Sequence, residues 1–300
     1  MNRRIIYLFN PVSGTGAKHD MLDSVRQLTT GKGIPFEIIS TNAAGNYQFL
    51  KQKITDEGVT DIVVCGGDGT VSQVAGLLRD DAVNIGIIPM GSGNGLAFAA
   101  GISKNIDKAL DIIFTGRAAF IDSFYINGIF SCMLCGLGFD AQVAHDFARQ
   151  KRRGLLTYVQ QTVANFFKAV PFSFLIHSNG NALEAEAFFI SIANSNQFGN
   201  QFTIAPRASL TDGLLDIVVV KKMSKLWLLW SIFKQVRHGT IHEHDEHTFH
   251  KKDVAYFQTA RLEIYNRDNA PLHIDGDPAE TAEKFVIEII PNAFKLIQPL

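Results

Sequence analysis

Apolar residues gather in short runs along the first part of the chain, and each run closes on glycine or a polar cluster. Ile5-Ile-Tyr-Leu-Phe9 leads into Asn10-Pro-Val-Ser-Gly-Thr-Gly16, and Phe36 to Ile39 leads into Ser40-Thr41 and a loop holding Gly45. Asp61 to Cys65 leads into Gly66-Gly-Asp-Gly-Thr70, and Asn84 to Pro89 into Met90-Gly-Ser-Gly-Asn-Gly95. Short apolar runs bounded by turn residues predict strands. Between them the period changes: Val71, Val74, Ala75 and Leu78 fall at i, i+3, i+4 and i+7, one face of a helix. Further helical stretches are expected near Met21 to Leu28 and from Leu96 to Ala100. Strands alternating with helices imply a parallel sheet covered on both faces. In such sheets the loops that follow the strands gather at one edge, where ligands bind. The Gly-rich loops, distant in sequence, are therefore expected to line a single crevice.

Beyond Thr115 the pattern shifts. Helical periodicity returns at Tyr158 to Val170 and Leu226 to Val236. The remainder reads as strands: Phe188 to Ala193, Leu214 to Val220, Arg261 to Tyr265, Leu272 to Ile274 and Phe285 to Ile290. Turn dipeptides such as Asp212-Gly213 and Asp275-Gly276 between them predict an antiparallel second domain. No internal repeat or low-complexity linker interrupts the 300 residues, a length that suits two domains.

Composition narrows the function classes. Hydrophobic residues make up 46% and charged residues 19%, a globular balance, and the net charge of −1 argues against a general nucleic-acid binder. Met1-Asn-Arg-Arg followed by Ile5 to Phe9 is basic and then apolar, but too short for a signal-peptide core. No run approaches the ~18 apolar residues of a membrane span, so a cytoplasmic protein is expected. Three cysteines supply no disulfide framework. Cys132 and Cys135 would send their thiols to opposite faces of one strand, which reads as core packing.

The loops exclude two common nucleotide motifs. Gly14-Thr-Gly-Ala-Lys18 does not match a P-loop, and Gly91-Ser-Gly-Asn-Gly95 has the wrong spacing for a dinucleotide fingerprint. Protein-kinase signatures are missing as well. A phosphate-binding crevice of another type remains, with a carboxylate, Asp68, set in the middle of its most Gly-rich loop.

Asn10-Pro-Val-Ser-Gly14, Gly66-Gly-Asp-Gly-Thr70 and Pro89-Met-Gly-Ser-Gly-Asn94 occur in the order seen in the diacylglycerol-kinase catalytic family, which includes bacterial lipid kinases and sphingosine and ceramide kinases. Gly138-Phe-Asp-Ala141, Thr211-Asp-Gly-Leu-Leu-Asp216 and Ile274-Asp-Gly-Asp277 resemble that family's later motifs, so the resemblance spans nearly the whole chain. It implies an α/β + β fold: an N-terminal α/β nucleotide-binding domain with a parallel sheet over residues 1–120, and a C-terminal antiparallel β-sandwich domain over 121–291. Residues 292–300 would return to the first domain, and the active site would lie in the cleft between the two.

The resemblance also implies site residues. Asn10, Pro11 and Val12 would hold the nucleotide at the first loop, with Thr41 and Gly45 beside the adenosine. Gly66, Gly67, Asp68, Gly69 and Thr70 would wrap the phosphates, joined by Ser92, Gly93 and Asn94. Lys151, in Lys151-Arg-Arg153, would approach the phosphates, and Asp275 and Gly276 would lie near the nucleotide. Glycine lets backbone donors close in, and helix N-termini add a favourable dipole. Asp68 is tolerable beside ATP because Mg²⁺ neutralises the triphosphate, and it is read as the base, with Asp277 assisting from the second domain. Asp277 stands where the family carries Glu, one methylene longer. Asp212, with carbonyls at Ser209 and Leu214, resembles a structural Mg²⁺ site; a turn carboxylate capping its own loop is the alternative.

The expected activity is ATP- and Mg²⁺-dependent phosphorylation of a lipid hydroxyl, on diacylglycerol or a sphingoid base, with peripheral contact to a membrane surface. A homodimer is compatible with it. An NAD-kinase-like small-molecule kinase and a catalytically silent nucleotide-binding regulator are the competing classes. Ala144 falls where sphingosine kinases carry an amine-binding carboxylate, with Asp140, Gln142 and Asp146 close by. His238, His242, His244, His247 and His250 lack regular ligand spacing and read as a solvated loop, not a zinc site.

Overall fold

The computed structural model describes residues 3–11, 18–41, 45–150, 155–197, 204–223, 249–251 and 254–300. Strands β1 (Ile5–Phe9), β2 (Phe36–Ser40), β3 (Asp61–Gly66) and β4 (Asn84–Pro89) run parallel in the order β2-β1-β3-β4. Every residue of β1 and β3 is buried, which explains why their apolar runs are continuous instead of alternating. Helices α1 (Lys18–Gly31), α2 (Phe49–Glu57) and α3 (Asp68–Leu78) follow the first three strands; the short α4 (Gly95–Ala99) and then α5 (Ile106–Thr115) follow the fourth. The face of α3 expected from its spacing, Val71, Val74, Ala75 and Leu78, is the buried one.

The second half begins with β5 (Arg117–Ile126), β6 (Ile129–Ser131), β7 (Leu134–Gly138), α6 (Phe139–Ala148) and α7 (Leu155–Lys168). It continues through β8 (Phe172–Ser178), β9 (Asn181–Ala193), β10 (Leu215–Lys221), β11 (Phe249–Lys251), β12 (Val254–Thr259), β13 (Arg261–Asn266), β14 (Leu272–Ile274) and β15 (Asp277–Ala279). All pairings among these strands are antiparallel, around a core that includes Phe124, Phe174, Ile190, Ile217 and Phe285. The run expected as one strand through Cys132 and Cys135 instead breaks between β6 and β7. Cys132 packs into the core of the first half and Cys135 into the sandwich, so the thiols do face apart, and all three cysteines are free and buried. The apolar helix expected at 226–236 and the histidine-rich stretch 238–247 lie outside the described residues.

One strand belongs to both halves. The first part of β16 (Lys284–Gln298) pairs with β13 in the sandwich; its last part runs parallel to β4, with Lys295 opposite Asn84 and Leu296 opposite Ile85. β5 accompanies it antiparallel along nearly its whole length, and the register shifts between Ile290 and Phe294. Pro291 has no N–H to give the ladder, and Asn292 takes a left-handed φ of 53°. The irregularity is pinned by buried Asp122 on β5, whose carboxylate accepts from Asn292 N at 2.8 Å and Gly213 N at 2.7 Å.

Candidate active site

The parallel strands end together, so Asn10, Thr41, Gly66 and the loop after Pro89 meet at one edge. Asn10 Nδ2 donates to Thr70 Oγ1 at 3.1 Å, and Thr41 N donates to Phe9 O at 2.8 Å. A side-chain carbon on Gly45 would lie 3.0 Å from Gln73 Oε1, which puts the second loop against α3. The loop at 66–70 and the loop at 91–94 touch backbone to backbone. A Cβ on Gly91 would stand 2.7 Å from the Cα of Gly67, so the glycines are required here first by each other.

Asp68 explains why a carboxylate sits in this loop. Its Oδ2 accepts from Gly95 N at 3.0 Å and its Oδ1 from Leu96 N at 3.2 Å. An anion therefore meets the positive end of α4, where unpaired amides need acceptors, and the third loop is tied to the second. Burial pushes the Asp68 carboxyl up to about 6, against the lowering effect of those amides, and Asp275 adds to the rise. Asn94 is likewise engaged within its loop: it is buried at a φ of 56°, Oδ1 accepting from Gly91 N at 2.7 Å and Nδ2 donating to Gly91 O at 2.8 Å.

Across the cleft, β14 and β15 form a two-residue hairpin with Asp275 at φ 50° and Gly276 at φ 85°, the left-handed pair that an Asp-Gly turn provides. Buried Asp275 faces inward. Its Oδ1 accepts from Ser131 Oγ at 2.7 Å and from Met133 N and Leu134 N at 3.1 Å each, which docks the hairpin on the β6–β7 corner. Its Oδ2 is buried without a hydrogen-bond partner; Ser72 Oγ stands close enough to favour ionisation but off hydrogen-bond geometry. Burial raises the Asp275 carboxyl. Asp277 is exposed, with its Oδ2 only 2.5 Å from where a side-chain carbon on Gly69 would begin.

Between the halves lies a cavity of 290 Å³, walled by Gly69, Ser72, Gln73 and Gly76 of α3 and by Phe130, Ile274, Asp275 and Asp277 opposite. Of its α3 wall only Gly69 was expected from the sequence; positions 72, 73 and 76 follow it at helical spacing beside the buried stripe, the signal that could have found them. Phe130 and Ile274 carried no such signal. The first turn of α3 supplies backbone donors beside it, suited to phosphate oxygens. The oxygens of Asp275 and Asp277 are hard donors suited to Mg²⁺, and carboxylates in this number tolerate a triphosphate only with a cation between. Nucleotide and metal thus fit the cleft together. Among the described residues no three His, Cys, Asp or Glu side chains form a metal site by themselves. Val12 and Lys151 lie outside the described residues.

The Asp212 turn lies on the sandwich side, next to β10. Asp212 is exposed and closes its own turn, Oδ1 accepting from Leu214 N at 3.1 Å, while Ser209 Oγ accepts from Thr211 N at 3.3 Å. Desolvation raises the Asp212 carboxyl, and neighbouring Asp122 adds to it. Behind it, buried Asp216 accepts from the Tyr256 hydroxyl and from Gln258 Nε2 at 3.2 Å, and burial pushes it up to about 6.

An α/β half with Gly-rich loops at its carboxyl edge is thus closed by a β-sandwich that presents a carboxylate, an arrangement suited to holding phosphate in the cleft. Comparison with known proteins agrees. Residues 4–126 match the diacylglycerol kinase catalytic domain, and residues 134–298 match the YegS C-terminal NAD kinase beta sandwich-like domain. The chain belongs to the lipid kinase family built from these two modules. It is 28% identical to a "Probable lipid kinase YegS-like" protein of Shewanella frigidimarina, over 87% of this chain and 83% of that one. It is 26% identical to a diacylglycerol kinase of Bacillus subtilis, over 91% and 89%. A solved diacylglycerol kinase structure from Bacillus anthracis superposes with a TM-score of 0.74 at 20% identity, covering 99% of this chain and 97% of that one. The fold is therefore shared well beyond the reach of sequence identity.

Proposed function

We propose that this kinase transfers the γ-phosphoryl group of ATP, with Mg²⁺, to the hydroxyl of a membrane lipid, diacylglycerol or a sphingoid base. The observation that carries the proposal is the position of Asp277, exposed at the cleft and facing the first turn of α3. The acceptor oxygen attacks the γ-phosphorus while its proton passes to the Asp277 carboxylate; the bond to the β-phosphate bridging oxygen breaks and ADP leaves. Backbone amides at the start of α3, with Asn10 and Thr70 holding the first loop against it, align the phosphates and stabilise the charge that spreads over them. The Asp275 Oδ2 that has no hydrogen-bond partner would hold Mg²⁺, which would screen the triphosphate from the carboxylates and withdraw charge from the transferred group, while proton transfer stays with Asp277. Asp68 acts as the clamp between loops, a different part from the base expected of it, because both its oxygens are turned onto α4. A second, structural Mg²⁺ at Asp212, with the carbonyls of Ser209 and Leu214, belongs to the same proposal; the crowding of Asp212 by Asp122 favours a cation there.

A lipid acceptor is favoured over a soluble one by α7. Val159, Val163, Phe167 and Val170 are each at least half exposed, three of them on one face of a helix without Asp or Glu. Such a surface suits peripheral docking on an anionic bilayer, and no described helix is long and apolar enough to cross one. The test is kcat at saturating ATP and lipid in mixed micelles. Asp277→Asn should lose about 10²–10⁴-fold, the usual worth of a positioned base, and Asp68→Asn should lose less. Equal activity of Asp277→Asn and the parent protein would overturn the assignment.

A further inference from the structure

The hairpin that presents Asp277 is held from behind by a buried pair with no place in the reaction so far. His273 on β14 is 2% exposed and Asp140, in the first turn of α6, 7% exposed. His273 Nε2 lies 3.3 Å from Asp140 Oδ2, and its other ring nitrogen, Nδ1, accepts from the N–H of Gly276 at 3.3 Å. Nδ1 faces a backbone donor, so it carries no proton, and the neutral ring's proton is on Nε2, directed at the carboxylate. Asp140 is itself fixed, its Oδ1 accepting from Ala141 N at 2.8 Å. Opposite His273 in the ladder stands Gly136, where any side-chain carbon would overlap both Asp140 Oδ2 and His273 Nε2. Gly136, one of the two glycines of β7, is thus the position over which the pair is built.

Gly276 is the residue immediately before Asp277, in a turn whose other member, Asp275, is bound to the β6–β7 corner. The two anchors grip the turn from separate sides: Asp275 ties it to the seam between the halves, and His273 ties it to α6. A carboxylate that must meet an acceptor hydroxyl tolerates little displacement, because an error of about 1 Å costs roughly 10²-fold in rate.

We propose that His273 is a positioning residue for phosphoryl transfer: Asp140 fixes its tautomer, and its Nδ1 fixes the Gly276 amide and through it the direction of Asp277. The inference rests on Asp277 being the base. It gives Asp140 a role different from contact with an acceptor amine, since its carboxylate is buried and already engaged.

Two substitutions separate the halves of the ring. In His273→Asn the amide oxygen sits at the δ position and can still accept from Gly276, whereas the contact with Asp140 is lost. In His273→Gln the amide reaches the ε position and keeps Asp140, whereas the acceptor for Gly276 is lost. The expected result is that His273→Asn keeps kcat within a few-fold of the parent, while His273→Gln loses about 10²-fold with the KM for ATP little changed. A purely structural histidine predicts equal losses of kcat that follow equal losses of Tm, and that outcome would overturn the proposal. Asp277→Asn, measured alongside, separates the two readings: if it is fully active, the base assignment fails; if it is inactive while both His273 variants behave alike, only the present inference fails. The tautomer is read on the unmodified protein by ¹⁵N NMR of the imidazoles. Expected is an unprotonated Nδ1 with protonated Nε2 at His273, and the opposite tautomer refutes the mechanism whether or not either variant folds.

Discussion

Gly69→Ala is the smallest change that tests the geometry of the cleft. The new methyl would stand 2.5 Å from Asp277 Oδ2, roughly 1 Å inside ordinary contact. Gly69 lies in the first turn of α3, where alanine is the better helix former by up to about 1 kcal/mol. Asp277 is exposed, so its carboxylate can swing aside without repacking a core. Folding stability should therefore hold or rise slightly, while the carboxylate leaves its place by about 1 Å and kcat falls about 10²-fold. The assay is kcat in mixed micelles together with Tm and the ATP Kd, for Gly69→Ala, Asp277→Ala and the double variant. A methyl that acts through Asp277 makes the double variant no worse than Asp277→Ala alone, the non-additivity expected of residues in contact. Full additivity, or a loss confined to ATP affinity, would refute the reasoning and return Gly69 to a role in phosphate binding only.

Asp68 and Asp216 have carboxyls raised from 3.8 to about 6, so the native state holds protons that the unfolded chain releases. In the nucleotide-free protein the contribution of these two groups is fully present below the unfolded value and is lost as pH rises through about 6; Tm should fall between pH 5 and 7, and Asp216→Asn should flatten part of that fall. On α7, Phe167→Asp or Val163→Asp should weaken flotation with anionic vesicles and lower turnover of vesicle-borne lipid. Turnover of a dispersed short-chain acceptor should stay unchanged; if binding is also unchanged, α7 is not the docking face.

The first half of the chain was legible because its signals are local and repeated. Continuous apolar runs closed by turn residues marked β1, β3 and β4, and the convergence of their loops followed from topology alone, although α2 and α5 were not singled out. The second half was less so. β5 and β8 were not separated from their surroundings, and α6 was missed, since Phe139–Ala148 starts on a Gly-Phe pair and lacks a clear stripe. The motifs converge on the cleft, but they do not tell which way side chains turn within it. Asp68 and Asn94 sit where phosphate ligands were expected, yet their side chains bind backbone of the loops. Whether a carboxylate faces a ligand or the amide end of a neighbouring helix depends on contacts 27 and 28 residues apart in sequence. His273 illustrates the same limit, because its partners lie in α6 and in its own turn.

The ribbon of β5 and β16 sets the order in which this chain can be completed during synthesis. Until the residues around Lys295 and Leu296 leave the ribosome, β4 lacks its outer neighbour and the first domain has an open edge. Unpaired edges invite association with other chains, and closing this one joins residues 84 and 295, a very long loop to close. The nucleotide half is thus begun before the sandwich and completed only after it. A nascent chain would have to keep its phosphate loops waiting on an unfinished sheet, and the quality of the whole cleft is sealed only when β16 reaches β4.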